Sequence, residues 1–224
     1  MFLCMIKLPD FKKSFEYENN FYLSCDPSRI SKIIAHYELY KMSHNKIGDV
    51  VECGVFKGIS FIRFAIFRDL FRDQSSKKII GFDTFGKFPK NRFLLDGKPR
   101  EKFISAAGIQ SISKTQINKV LKHKSLIRNT EFIAGDILET VPQYVKSHPK
   151  LKISFLNLDV DMYEPSLTIL ENLYPKIVKG GVLVLDDYET WPGETKAVDE
   201  YFKGKNVKIQ KFSYCKTPSF IIKK

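Results

Sequence analysis

Short apolar runs that end on an acid or a glycine alternate along this chain with segments of helical spacing, and no other feature narrows its fold so far. The runs are GDVVECG (48–54), KKIIGFD (77–83), TEFIAGD (130–136), KISFLNLD (152–159) and GGVLVLDD (180–187). Between them lie stretches such as SFIRFAIFRDLF, SKTQINKVLKHK, ILETVPQYVKSH and PSLTILENLYPKIV, with apolar residues at helical intervals. Strands separated by helices run parallel, because a parallel pair needs a long crossover to bring the chain back to the same edge. The expected fold is therefore α/β: a doubly wound, mostly parallel seven-stranded sheet with helices on both faces. Its last two strands, VKIQKF and SFIIK, flank SYCKT and read as a C-terminal antiparallel hairpin. Each run hides its apolar residues and delivers its polar end to the carboxyl edge of the sheet, where open α/β folds bind ligands.

Residues 1–47 read as a helical lead-in and 48–224 as the ligand-binding body. In the lead-in, Asp26 is placed to cap a helix starting at Pro27, with Ile30, Ile33, Ile34 and Tyr37 as its apolar stripe. Residues 86–113 are polar, contain Gly and Pro, and are too long for an idle connection, so they are expected to form a lid over bound ligands.

The chain carries a net charge of +12 and has a pI near 9.4, which raises the question of a nucleic-acid partner. Only seven of its 37 basic residues are Arg. The lysines are spread along the whole length, whereas specific phosphate and base readout favours the bidentate Arg fork. The charge is read as solvated surface. Cys4, Cys25, Cys53 and Cys215 are scattered with no C-x-x-C pair, which argues for a reducing compartment and against a zinc site. The apolar start MFLCMI is far short of the ~20 residues that span a membrane and lacks the marks of a signal peptide. A cytoplasmic location is expected, with the apolar start packed on the body or on a second subunit of a homo-oligomer.

The chemistry concentrates at the strand ends. In ECGVFKGIS (52–60), Gly54 allows a tight turn, Gly58 the close approach of a ligand, and Ser60 a hydrogen bond to a carboxylate or phosphate. Asp83 is placed to hold ribose hydroxyls, or to form a turn. Asp136 is placed to accept from an adenine amino group, or to cap the following helix. Together these ends carry glycines and acids in the order an adenosine ligand needs. FLNLDVDMY then supplies Asp159 and Asp161. Asp159 and Asp186 are separated by one strand–helix crossover and so fall on adjacent strands, with Asp187 directly after. Three carboxylates beside one crevice repel each other unless a cation sits among them, and a hard divalent ion such as Mg²⁺ suits their oxygens. Asp161, two residues beyond Asp159 and on the same side if the strand continues, is open to three roles: general base, acceptor contact, or N-cap of the helix containing Pro165. His36 and His44 are weaker candidates for the base.

The stretches GDVVECGVFKGIS, GFDTFGKFP and LNLDVDMYEPSLTILENLYPKIVKGGVLVLDDYETWPGETKAVDEYF resemble the TylF/MycF-type, or macrocin, O-methyltransferases from about residue 26 to 202. The resemblance implies a Rossmann-like class I methyltransferase that uses S-adenosylmethionine and Mg²⁺ to methylate a hydroxyl of a sugar or glycosylated small molecule. It implies that Glu52, Gly54 and Ser60 hold the methionine end of the cofactor, Asp83 the ribose and Asp136 the adenine side. It implies Asp159, Asp186 and Asp187 as metal ligands. The glycine turn also matches catechol-type O-methyltransferases, but the lysine base of those enzymes is replaced here by Met162. Two other readings compete. The D-x-D at 159–161 resembles that of metal-dependent glycosyltransferases, and the basic charge would suit a nucleic-acid methyltransferase.

Overall fold

A computed structural model describes residues 6–88 and 96–224 of the protein. The strands are β1 (Asp49–Cys53), β2 (Ile79–Asp83), β3 (Thr130–Ala134), β4 (Ile153–Leu158), β5 (Ile177–Leu185), β6 (Gln210–Lys211) and β7 (Ser219–Ile222). The helices are α1 (Ser14–Ser24), α2 (Pro27–Ser43), α3 (Ile59–Leu70), α4 (Gly97–Ala107), α5 (Lys114–His123), α6 (Ile137–Ser147), α7 (Tyr163–Leu173) and α8 (Pro192–Phe202). The sheet order is β3-β2-β1-β4-β5-β7-β6. The first five strands pair in parallel and β7 pairs antiparallel with both β5 and β6. The doubly wound, mostly parallel architecture expected from the alternation is the one observed.

Strand alternation sends neighbouring residues to opposite faces. Val51, Ile80, Leu156 and Leu183 pack with Val141, Ile169, Leu170, Val198 and Phe202 of α6, α7 and α8. Val50, Ile79, Phe155 and Val182 pack with Leu39, Tyr40, Phe61, Phe64, Ile117 and Leu121 of α2, α3 and α5. Two buried cations secure the amino edge of the sheet. Arg68 donates to the carbonyls of Leu126, Arg128 and Asn129 at 2.7–3.0 Å, and Lys77 to Gly48 O and Ser154 Oγ at 3.1 Å each. Part of the basic charge is thus structural, and the carboxyl edge is left for the acids.

Several elements differ from expectation. The apolar stripe expected of α2 is used only in part: Tyr37 packs on the core and Ile30 and Ile33 are half-buried. The buried positions are Ala35, His36, Leu39, Tyr40 and Ser43, and Ile34 is exposed. Small residues at 35 and 43 let the helix approach closely, and His36 is tolerated inside because both its ring nitrogens find partners. α7 stops at Leu173, since Pro175 lacks the N–H that would bond back to Glu171, and β5 begins at Ile177, before the glycine pair. β6 is only two residues long and the loop to β7 runs from 212 to 218. The expected lid stretch contains α4, and an isolated bridge joins Lys87 to Gln110. Residues 89–95 of that stretch lie outside the described residues.

Candidate active site at the carboxyl edge of the sheet

The chain reverses direction between β3 and β4, which sit on opposite sides of β1. The crevice of such a sheet opens where the order switches, at the ends of β1 and β4. There the backbone ladder continues one residue past each strand. Gly135 N donates to Asp83 O at 3.0 Å, Gly54 N to Phe82 O at 2.9 Å, Asp159 N to Cys53 O at 3.0 Å and Asp186 N to Leu158 O at 3.0 Å. This staggering aligns Asp83, Gly54, Asp159 and Asp186 along one edge. A cavity of about 710 Å³ lies over them, lined by Gly54, Ser60, Asp83, Asp136, Asp159, Asp161, Asp186 and Asp187, with Phe56, Phe88, Phe103 and Trp191 as aromatic walls.

Gly54 makes the tight turn expected of it, whereas Gly58 plays a different part. Gly54 has φ +96°, and a Cβ there would lie 1.6 Å from the carbonyl oxygen of Asp159. Its side chain is excluded by the backbone leaving β4, not by an approaching ligand. Gly58 has φ +83° at the N-cap of α3 and packs toward Ile112 and Ile117 rather than lining the cavity. Asp83 shapes the turn around it: Oδ2 accepts from Phe56 N at 2.8 Å and Oδ1 from Phe85 N at 2.7 Å. Both donor residues have positive φ, which these bonds hold in place. Asp136 caps α6 through Leu138 N at 3.0 Å while its exposed carboxylate faces the cleft. Glu52 is fully buried beneath the turn. It accepts from Asn157 Nδ2 at 3.0 Å, lies beside Ser60, and has a second oxygen without a protein partner. Burial pushes its pKa up to about 8.

Asp159, Asp161 and Asp187 each bring one oxygen to within 4.8 Å of the others. The expected cluster was Asp159, Asp186 and Asp187. Asp161 has joined it, because its left-handed φ of +63° turns the chain so that the side chain points back toward Asp187. Asp161 is not the cap of α7; Met162 holds the N-cap position, without a side-chain hydrogen bond. Asp186 instead faces α2. Its Oδ2 accepts from Lys32 Nζ and its Oδ1 from His36 Nε2 at 3.1 Å. Arg63 Nη1 lies 2.9 Å from His36 Nδ1, and a guanidinium can only donate. His36 therefore accepts at Nδ1 and carries its proton on Nε2, directed at Asp186. Burial lowers the His36 pKa and keeps the ring neutral.

The charges follow from these contacts. Burial, then the neighbouring acids, push Asp159 and Asp187 well above the usual carboxylate range, and burial brings Asp161 to about 7. Burial would raise Asp186 too, but Lys32 and His36 outweigh it and hold the carboxyl below that range. One more acid belongs to the group. Glu194 is fully buried, accepts from Asp187 N at 3.0 Å, and is raised by burial and by Asp187. In sequence, Glu194 reads as an ordinary acid in the first turn of a helix, and Lys32 and Arg63 as surface charges. Nothing local marks any of them. Asp96, also fully buried, accepts from Gly193 N at 2.8 Å and ties the start of α4 to the start of α8. His44, at the end of α2, packs against Phe71 with the rings tilted by 31° and their centroids 4.5 Å apart.

A family model described as macrocin-O-methyltransferase (TylF) matches residues 30–213, a span that contains every residue of this site. The chain belongs to the macrocin O-methyltransferase (TylF) family. It is 27% identical over 164 residues to a demethyldecarbamoylnovobiocin O-methyltransferase of Streptomyces niveus, covering 71% of this chain and 60% of that one. It is 28% identical over 145 residues to an 8-demethyl-8-(2,3-dimethoxy-alpha-L-rhamnosyl)-tetracenomycin-C 4'-O-methyltransferase of Streptomyces olivaceus, covering 63% of this chain and 53% of that one. The chain thus spans well under two thirds of the length of these two curated relatives. Among solved structures, the fold matches CalS11, a calicheamicin methyltransferase, with a TM-score of 0.76 and 22% identity, covering 93% of this chain and 85% of that one. The matching model describes an O-methyltransferase, not a glycosyltransferase or a nucleic-acid enzyme. No helix among the described residues is long and apolar enough to cross a membrane.

Proposed function

We propose that the protein is an S-adenosylmethionine- and Mg²⁺-dependent O-methyltransferase acting on a hydroxyl of a sugar or glycosylated small molecule. The observation that carries this reading is one cavity shared by an adenosine-type edge and a cluster of carboxylates. Gly54, Ser60, Asp83 and Asp136 line one part of it, and Asp159, Asp161, Asp186 and Asp187 another. Two relatives, both named as O-methyltransferases and one of them for a rhamnosyl substrate, support the acceptor class.

Ser60 would hold the methionine end of the cofactor, oriented from beneath by Glu52. Asp83 would accept from the ribose and Asp136 from the adenine side. Asp159, Asp186 and Asp187 are the carboxylates assigned to Mg²⁺, and their oxygen-only donor set fits a hard divalent ion. When bound, the ion lowers the pKa of a coordinated hydroxyl and fixes its direction, and S-adenosylmethionine supplies an electrophilic methyl. The remaining work falls to the chain. Asp161 faces the same space and takes the hydroxyl proton, the role that Met162 cannot fill. Phe56, Phe88, Phe103 and Trp191 offer apolar walls to an acceptor and exclude water. Phe88, Phe103 and Ala107, from the stretch read as a lid, line this side of the cleft.

The test is mass spectrometry of candidate glycosides and nucleotide-sugars incubated with the protein, S-adenosylmethionine and Mg²⁺. One added methyl on a sugar hydroxyl is expected. Calorimetry showing no heat with either S-adenosylmethionine or its demethylated product would refute the cofactor assignment.

A further inference from the structure

Lys32 has no part in the reaction just described, yet its ammonium lies against the carboxylates assigned to the metal. It stands four residues before His36 on α2, so both side chains leave the same face of the helix. Together they occupy both oxygens of Asp186, Lys32 at Oδ2 and His36 at Oδ1. The Lys32 side chain is 22% exposed and lines the cavity, whereas that of Asp186 is 2% exposed. The acids that act on the ammonium are, in order, Asp186, Asp159 and Asp187.

We propose that Lys32 is a tethered counter-ion, balancing Asp159, Asp186 and Asp187 until a divalent ion displaces it from Asp186. A carboxylate oxygen facing both an ammonium and a divalent ion would hold two cations in repulsion. The flexible four-carbon stem of lysine allows the ammonium to swing away, and its partial exposure gives it a path into the cleft. His36, neutral and fixed by Arg63, stays on Oδ1 and keeps Asp186 oriented after the ammonium leaves. The arrangement has a thermodynamic cost for the ion, whose affinity is reduced by the interaction it must break.

This inference rests on the metal reading, and the experiment separates the two. Mn²⁺ binding to the full chain is measured by electron paramagnetic resonance for the wild type, for Lys32→Met, and for Lys41→Met. Lys41 lies on the same helix, 4.0 Å from Glu38 and exposed, and controls for net charge. Lys32→Met is expected to bind Mn²⁺ at least about tenfold more tightly than the other two, the scale of one charge–charge interaction at a partly buried site. Equal or weaker affinity in Lys32→Met overturns the role of Lys32 and leaves the metal reading standing. No Mn²⁺ binding by any of the three proteins overturns both. Should Lys32→Met fail to fold without metal, reductive methylation of the wild type gives the same answer by peptide mass spectrometry. Lys32 is expected to be protected in chelator and modified once Mg²⁺ is added; unchanged protection overturns the proposal.

Discussion

At Gly54 two backbones compete for one space. With φ at +96° and a virtual Cβ 1.6 Å from the Asp159 carbonyl, Gly54→Ala must move β1 away from β4 or strain the turn. A loss of about 3 kcal/mol or more is expected, from overpacking plus left-handed strain, read as the midpoint of urea unfolding. Wild-type stability with lost cofactor binding would instead mark Gly54 as a point of ligand contact. The two aspartates of D-x-D divide differently. Asp161→Asn should lower turnover by roughly 10²–10⁴-fold with Mn²⁺ affinity and melting temperature intact, as for loss of a general base. Asp159→Asn should lose divalent binding. Matching profiles would move Asp161 into the ligand set, which its closeness to Asp159 and Asp187 allows. Both acids were legible because they end an apolar run. Lys32, Arg63 and Glu194 were not, because contacts made only by the fold bring them into the site: Lys32 meets Asp186 across 154 positions, Arg63 meets His36 across 27, and Glu194 meets the Asp187 amide across 7.

For whole elements, caps were easier to read than faces. Asp26 caps α2 through Ser28 N at 2.8 Å, and Ser113 forms a capping box with Gln116 on α5, both matching their sequence signatures. The buried face of α2 was misjudged because three isoleucines outweighed a histidine in any reading by hydrophobicity. α4 sits at the end of the cleft and is hooked to α8 by Asp96, with Phe103 against Trp191 at 5.9 Å. Asp96→Ala leaves the buried N–H of Gly193 without its acceptor, so about 1–3 kcal/mol of stability should be lost. Limited proteolysis should then cut α4 faster than in the wild type. In the wild type, cofactor plus acceptor should protect residues 86–113. Equal cleavage rates with and without ligands would make this segment a fixed wall rather than a lid.

Across the whole molecule, acids gather at one sheet edge of a basic protein and set its response to pH. Burial raises Glu52 to about 8 from 4.5 and Asp161 to about 7 from 3.8. Asp159, Asp187 and Glu194 shift the same way. Raised folded-state values mean that the folded chain binds more protons than the unfolded one. Their favourable contribution is complete below the unfolded values and is lost as pH rises through the folded ones. Asp186, held low beside Lys32, is ionised throughout this window and does not offset the loss. In chelator, the melting temperature should therefore fall between about pH 5 and 8, each affected group contributing up to ~1.4 kcal/mol per pH unit. Mg²⁺ should restore most of the loss at the upper end, and Glu52→Gln should flatten the slope. A melting temperature that rises across this range in chelator would contradict the shifts.

Order along the chain was enough for the alternation of strands and helices, the parallel sheet, the carboxyl edge as the place where the cavity opens, and the acids that end β2 and follow β4 and β5. These depend on local periodicity and on the rule that a crossover returns the chain to the same edge, and both are written in neighbouring residues. Contacts across the fold settled the rest. They showed that Gly54 yields to the Asp159 carbonyl, that Asp161 turns toward Asp187, and that Asp186 is shared by Lys32 and His36. Each depends on which side chains meet after α2, α3 and α8 have packed against the sheet, and burial there changes the charge that those groups carry.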